Sequence, residues 1–139
     1  MKNIDVSYGK LQALWNVSIK VKEKSITVLI GLNGSGKTTL LKTISGILKP
    51  SKGNIYFMGQ RIDNLQPYEI PKLGIAHIPE GRHLFPFMTV IENLEIGAYL
   101  PKARREKDNT LEDVFKLFPL LKERQNQMAS TLSGGEQQM

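Results

Sequence analysis

Apolar and polar residues alternate in the first third of the chain in patterns typical of β-strands. Between positions 17 and 21, Val, Ile and Val alternate with polar side chains, which predicts a strand with one buried face. Residues 26–30 are apolar almost throughout, which predicts a central strand covered on both faces. Shorter apolar runs at 55–58 and 74–78, followed by Gly59 and Pro79, predict two more strands.

A helix is predicted directly after a glycine-rich stretch that ends at Lys37. The apolar residues that follow have helical spacing, and Gly46 with Pro50 supplies a stop signal. These apolar residues are Leu40, Leu41, Ile44 and Leu48. The predicted order is therefore strand, glycine-rich loop and helix.

From about Thr89 the pattern changes to helices. Thr89 with Glu92 predicts a capping box, and Thr110 with Asp113 predicts a second one ahead of an amphipathic run that Pro119 limits. The apolar face of that run consists of Leu111, Val114, Phe115 and Phe118. We therefore predict an α/β fold with a sheet-rich part at 1–88 and a helical part at 89–139.

Composition narrows the class of protein. With 139 residues, 40% of them hydrophobic and 23% charged, the chain is typical of a globular domain rather than a disordered segment. It has no apolar run near the ~20 residues of a membrane span and no secretory signal, so a cytosolic location is expected. The absence of cysteine excludes disulfides and cysteine-bound zinc.

The net charge of +6 is concentrated in residues 1–89, which hold 12 Lys and Arg against 5 Asp and Glu. Residues 90–139 hold 7 against 8, so the two parts carry +7 and −1. The lysines are scattered and form no basic stripe with interleaved aromatic residues. Nucleic acid is therefore not the expected partner.

The segment from Gly31 to Thr38, GLNGSGKT, fits the phosphate-loop pattern G-x-x-x-x-G-K-[ST] at every fixed position. Glycines allow the backbone N–H groups to turn inward around a phosphate, and the following helix adds the positive end of its dipole. Lys37 is expected to reach the β- and γ-phosphates, and the Thr38 hydroxyl to bind Mg²⁺. A chance glycine turn is disfavoured because a predicted strand and helix flank the motif. The expected nucleotide-binding residues here are Gly31, Asn33, Gly34, Ser35, Gly36, Lys37, Thr38 and Thr39.

A second motif indicates which class of phosphate-loop protein this sequence resembles. The sequence LSGGEQQ begins at Leu132, 95 residues beyond Lys37, and resembles the LSGGQ signature of ABC-type ATPases. The stretches VSYGKLQAL, LLKTISGIL, LGIAHIPEGRHLFPFMTVIENL and TLSGGEQQM resemble the ATP-binding subunits of branched-chain amino-acid importers. The resemblance implies a P-loop ABC ATPase fold with a helical subdomain.

Two further site residues are implied by this resemblance. Tyr8 matches the aromatic residue that stacks on adenine; the alternative is a tyrosine of the core. Glu80 stands where most of the family carries a glutamine near Mg²⁺ and the attacking water. It is implied to join Thr38 as a metal ligand and to couple the site to a membrane partner; the alternative is an exposed loop carboxylate.

The signature residues are implied to act on a second subunit. Ser133, Gly134, Gly135 and Glu136 would face the γ-phosphate that the other subunit of a head-to-tail dimer holds. Ser133 and Glu136 also predict a capping box, which is compatible with that role. The apolar stretch at 84–88 is expected either to receive a coupling helix of the permease or to belong to the subdomain core.

The resemblance also implies what lies outside this sequence. The family's Walker B strand, catalytic Glu and switch His follow the signature, so no catalytic residue is expected here, the fold is expected to be incomplete at its C-terminus, and the chain to be inactive alone. Its parent would be an ATPase, with ATP and Mg²⁺ as cofactors, that powers import of branched-chain amino acids. The implied partners are a second ABC ATPase subunit and membrane permeases, at the cytoplasmic face of the membrane. Alternatives are an ABC ATPase for another substrate and a soluble nucleotide-binding regulatory module.

Overall fold

A computed structural model describes all 139 residues, and the chain divides into two compact units, Met1–Ile78 and Pro79–Met139. The first unit holds all five strands and one α-helix, and the second holds the other four α-helices. The division expected at residue 88 stays a prediction. No helix combines the length and the apolar character needed to span a bilayer.

Three antiparallel strands form the main sheet of the first unit, in the order β2-β1-β3. They are β1 (Lys2–Tyr8), β2 (Leu11–Val17) and β3 (Lys52–Asn54). Alternate residues of β1 point inward, so Ile4 and Val6 have no exposed surface. Asp5 pairs with Lys52 in the register of β1 and β3, and Lys2 pairs with Asn54.

A short hairpin follows the sheet. Strands β4 (Tyr56–Phe57) and β5 (Gln60–Arg61) are joined by Met58 and Gly59, which have φ angles of 48° and 84°. Positive φ at both central residues of a two-residue turn is what matches the twist of a tight hairpin. The strand expected at 55–58 is therefore confirmed only for its two middle residues.

Helix α1 (Lys37–Ile44) is confirmed where the spacing predicts it, and it ends before Gly46, whose φ is 75°. Leu48 lies outside the helix but packs against the same core. The core of the first unit joins residues from the sheet, from α1 and from the segments after β3. Its buried members are Ile4, Val6, Leu14, Leu40, Ile55, Ile62 and Ile70.

Three expected strands are wrong. No strand is present at 26–30, where Ile26 and Ile30 are 97% and 88% exposed, and none at 74–78. The third, at 17–21, stops at Val17, where β2 ends. A strand needs a second strand to satisfy its backbone N–H and C=O groups, and β1, β2 and β3 pair with one another and with none of these segments.

The second unit is helical, with α2 (Val90–Ile96), α3 (Pro101–Arg105), α4 (Lys107–Leu117) and α5 (Pro119–Glu123). The capping box at α2 is confirmed: the Glu92 carboxylate accepts from the Thr89 N–H at 2.7 Å, and the Thr89 hydroxyl accepts from the Glu92 N–H at 3.3 Å. The core of this unit is the cluster of Val90, Leu121 and Leu132.

The second expected capping box, Thr110 with Asp113, is wrong. Helix α4 begins at Lys107, so Thr110 lies inside the helix, where its hydroxyl donates to the Glu106 carbonyl at 2.8 Å. A threonine within a helix commonly forms this bond to the carbonyl four residues earlier. The apolar face is present nonetheless, because Val114 and Phe115 pack against the core of the second unit.

Candidate nucleotide-binding site

The phosphate loop turns into α1 at Gly36, which has a φ of 90° and is the N-cap of the helix. A Cβ at this position would lie 2.6 Å from Cδ2 of Leu14 and 3.4 Å from the carbonyl oxygen of Ala13. Glycine is required here by both the backbone angle and the space. No side chain caps the first turn of α1, so the helix presents its N-terminal N–H groups to the loop without a side-chain competitor.

The side chain of Lys37 folds back onto the loop. Its Nζ donates to the carbonyl oxygens of Gly31 and Leu32 at 2.8 and 2.7 Å, and the N–H of Ser35 donates to the Leu32 carbonyl at 3.2 Å. Gly34, at a φ of 81°, has open space where a side chain would be. The ammonium group therefore lies at the loop itself, where it can meet a phosphate.

Tyr8 and Thr39 come together although 31 residues separate them. The Tyr8 hydroxyl lies 3.3 Å from Oγ1 of Thr39, at the end of β1 and on the first turn of α1. Thr39 is buried, whereas Tyr8 is 45% exposed. The bond anchors the tyrosine while leaving much of its ring accessible, so Tyr8 is not a core residue.

These residues fit a phosphate chain. The loop combines an ammonium group, an uncapped helix start and glycines with positive φ, which are the features of an anion site. Thr38 is exposed on the first turn of α1. No cluster of three or more His, Asp or Glu side chains could hold a metal ion alone.

The signature loop, which we define as Leu132–Gln137, is held by its own side chains. The Glu136 carboxylate accepts from the Ser133 N–H at 2.7 Å, and the Ser133 hydroxyl accepts from the Glu136 N–H at 3.4 Å, so both bonds of the expected capping box are present, although the N-cap of the helical turn Glu136–Gln138 is Gly135. Arg124 forms an ion pair with Glu136 at 2.9 Å. The pKa of Glu136 is lowered, first by the Ser133 backbone N–H, then by the Ser133 side chain and the charge of Arg124. The loop is therefore held by a carboxylate that is ionised at neutral pH.

Comparison with models of protein families decides the family. The model described as ABC transporter matches residues 14–139, which include both the phosphate loop and the signature loop. This chain belongs to the ABC transporter family. Its fold is accordingly the ABC ATPase cassette, a P-loop fold of mixed helix and sheet content.

Among curated ABC proteins, two similar relatives are described as branched-chain amino-acid transport ATP-binding proteins. BraG of Pseudomonas aeruginosa is 44% identical over 139 residues, with 98% of this chain and 58% of BraG covered. The probable protein LivF of Archaeoglobus fulgidus is 40% identical over 136 residues, with 98% of this chain and 57% of LivF covered. The chain thus spans less than three fifths of either relative.

Solved ABC cassettes have the same fold. A dimeric bacterial ABC transporter cassette superposes with a TM-score of 0.77 at 30% identity, over 99% of this chain and 64% of the cassette. A post-hydrolysis dimer of that cassette, bound to ADP and phosphate, superposes with the same TM-score and coverage.

The remaining predicted residue, Glu80, lies in the second unit. Its carbonyl oxygen is 2.8 Å from Nε2 of His83, which closes a turn that contains Gly81 at a φ of 80°. In the adjoining stretch at 84–88, Phe85 and Phe87 are exposed. The structure thus places Glu80 at an exposed position, a few residues before the exposed Phe85 and Phe87.

Sequence reasoning missed two residues that contact the signature loop. Arg124 pairs with Glu136, and Arg82 bonds to Gln137 at 3.1 Å across 55 residues. No motif marks these contacts, since each depends on two segments that are distant in the sequence. Arg82 lies within the IPEGRHLFP stretch, which contributes to the family resemblance and is the only sequence feature that draws attention to this residue.

Proposed function

We propose that this chain binds ATP with Mg²⁺ at its phosphate loop, as part of the ATP-binding subunit of an ABC importer for branched-chain amino acids. The observation that carries the proposal is the start of α1, where Gly36 turns the loop into an uncapped helix and the Lys37 ammonium lies on the loop carbonyls. Titration of MgATP into the folded chain is expected to release heat that saturates at one nucleotide per chain. A flat calorimetric trace would contradict nucleotide binding.

The loop residues have separate roles in this proposal. The backbone N–H groups from Gly34 to Thr39 surround the phosphates, and Lys37 exchanges its carbonyl partners for the more negative β- and γ-phosphate oxygens. The Thr38 hydroxyl would bind the Mg²⁺ that accompanies the nucleotide, and the Glu80 carboxylate is proposed as a second ligand of this metal ion. Bound Mg²⁺ neutralises charge that develops on the phosphates during transfer.

Tyr8 is proposed to stack on the adenine base, because its exposed ring is anchored at the hydroxyl by Thr39. Tyr8→Ala is expected to weaken ATP binding about tenfold, as base stacking on an aromatic ring contributes about 1–3 kcal/mol. Tyr8→Phe keeps the ring and loses only the bond to Thr39, so it should stay within about threefold of the unmodified chain. Competition against a fluorescent ATP analogue measures both. Equal losses in the two variants would instead assign Tyr8 a role through its hydroxyl.

The signature loop is proposed to contact the nucleotide held by a second ABC ATPase subunit. Support comes from the exposed position of Ser133 and Gly135 and from the dimeric cassettes that have this fold. Ser133 and the N–H groups of Gly134 and Gly135 provide neutral hydrogen-bond donors, which suit a terminal phosphate. ATP hydrolysis by the complete subunit is part of this proposal.

Import of branched-chain amino acids is proposed on the likeness to BraG and LivF. Co-expressed with the permease subunits of a leucine importer, the chain is expected to co-purify with them from the cytoplasmic face of the membrane. Permeases of a peptide importer, carrying the same affinity tag, are the control. Equal recovery with both would favour an ABC ATPase for another substrate, and recovery only in soluble complexes would favour a nucleotide-binding regulatory module.

A further inference from the structure

We propose that Arg82 is a positioning residue for the signature loop and adds positive charge to the surface that receives a second copy's nucleotide. This inference rests on the proposed function. It concerns the turn that begins at Glu80 and a loop more than fifty residues later, both within the second unit.

The first contact is between Arg82 and Gln137. Nη1 of Arg82 donates to Oε1 of Gln137 at 3.1 Å. The Gln137 amide nitrogen in turn donates to the carbonyl oxygens of Ala129 and Leu132, both at 3.1 Å. Gln137 is therefore oriented from both sides, so its oxygen is a fixed acceptor and the guanidinium is held in one place.

The second contact is between Arg82 and Gly134. A Cβ on Gly134 would lie 2.6 Å from Nη2, 3.2 Å from Cζ and 3.4 Å from Nη1 of Arg82. The guanidinium thus lies against the glycine where any side chain would displace it. The contact shows how close the flexible end of Arg82 lies to the Gly134 backbone.

Arg82 brings positive charge to a loop whose proposed hydrogen-bond donors to phosphate, Ser133 and the N–H groups of Gly134 and Gly135, are neutral. Its side chain is a cationic guanidinium, and the residue is exposed. One edge of the planar group bonds Gln137 while the rest lies beside Gly134. An incoming terminal phosphate would therefore meet a positive charge next to the Gly134 N–H.

The backbone of Arg82 is fixed by the turn that Glu80 starts. His83 Nε2 lies 2.8 Å from the Glu80 carbonyl, and Gly81 has a φ of 80° within this turn. Arg82 lies between Gly81 and His83, so this bond constrains the backbone that carries the guanidinium.

The test measures how strongly two copies of the full 139-residue chain associate when nucleotide is bound. Sedimentation velocity monitors this association in the presence of a non-hydrolysable ATP analogue and Mg²⁺. Arg82→Gln is expected to weaken association about tenfold or more, because a charge-assisted contact is lost, while MgATP binding to the monomer, measured by calorimetry at chain concentrations too low for association, stays unchanged. Arg105→Gln on α3 makes the same change of charge and should associate like the unmodified chain.

Salt dependence separates a charged role from a merely structural one. Association of the unmodified chain should weaken as salt rises, with a smaller slope for Arg82→Gln and the original slope restored by Arg82→Lys. The inference is overturned if Arg82→Gln associates normally, or if Arg82→Lys and Arg82→Gln behave alike. It is also overturned if the unmodified chain binds MgATP but stays monomeric, an outcome that leaves nucleotide binding intact. Absence of any MgATP binding would refute the proposed function itself.

Discussion

Replacing Lys37 by alanine is expected to lower the affinity of the chain for MgATP by about a hundredfold or more. Lys37 Nζ already lies on the phosphate loop, where it donates to the Gly31 and Leu32 carbonyls. Bound nucleotide would replace these neutral acceptors with phosphate oxygens, and each bond to a charged group contributes about 1.5–3 kcal/mol. Two such bonds correspond to a factor of about a hundred or more at ~1.4 kcal/mol per tenfold.

Calorimetry on the folded variant measures this effect, with circular dichroism to establish that α1 is retained. Lys42→Ala is the matched control, because Lys42 lies in the last turn of the same helix and the substitution removes the same charge. The control should bind MgATP within about threefold of the unmodified chain, as a distant exposed charge interacts weakly through solvent. Undiminished affinity in Lys37→Ala would refute the role assigned to this residue.

Gly53→Ala is expected to destabilise the first unit by about 3 kcal/mol or more, since it combines strained backbone with a clash. Gly53 has a φ of 85° in β3, opposite β1. A Cβ there would lie 2.4 Å from the carbonyl oxygens of both Lys2 and Asn3. These are backbone atoms of a paired strand, so the clash can be relieved only by separating β3 from β1.

Gly59→Ala separates the two causes. Gly59 has nearly the same φ, 84°, but nothing lies within 4 Å of the Cβ position. Its substitution therefore costs only the positive φ, about 1–2 kcal/mol. Urea unfolding of both variants, followed by circular dichroism, gives the difference. If the two glycines tolerated alanine equally well, the close approach of β1 and β3 at Gly53 would be wrong.

Features governed by near neighbours were predicted correctly. Helix α1, the capping box of Thr89 and Glu92, and that of Ser133 and Glu136 each depend on residues within one or two turns. Such interactions need no knowledge of the rest of the chain, because the partners are close in the sequence. The phosphate loop was recognisable for the same reason, since its glycines and Lys37 act within eight residues.

Strands were predicted poorly, because an apolar run does not reveal its partner. Residues 26–30 are as apolar as a central strand, yet no segment of this chain pairs with them and their side chains are exposed. Conversely, β1 and β2 pair closely through the turn at Gly9, although the alternation at 17–21 suggested a strand further along. The capping box predicted at Thr110 was also wrong, because α4 begins at Lys107 and Thr110 therefore lies inside the helix.

The sequence by itself determined the chemistry of this protein: a phosphate loop, a helix that starts at its lysine, and a signature motif, all of which identify an ABC cassette. Only the tertiary structure decided which side chains from distant segments contact these motifs. Tyr8 reaches Thr39 across 31 residues, and Arg82 reaches Gln137 across 55. The physical reason is that contacts between distant segments depend on how strands pair and helices pack. No local pattern of residues encodes that pairing.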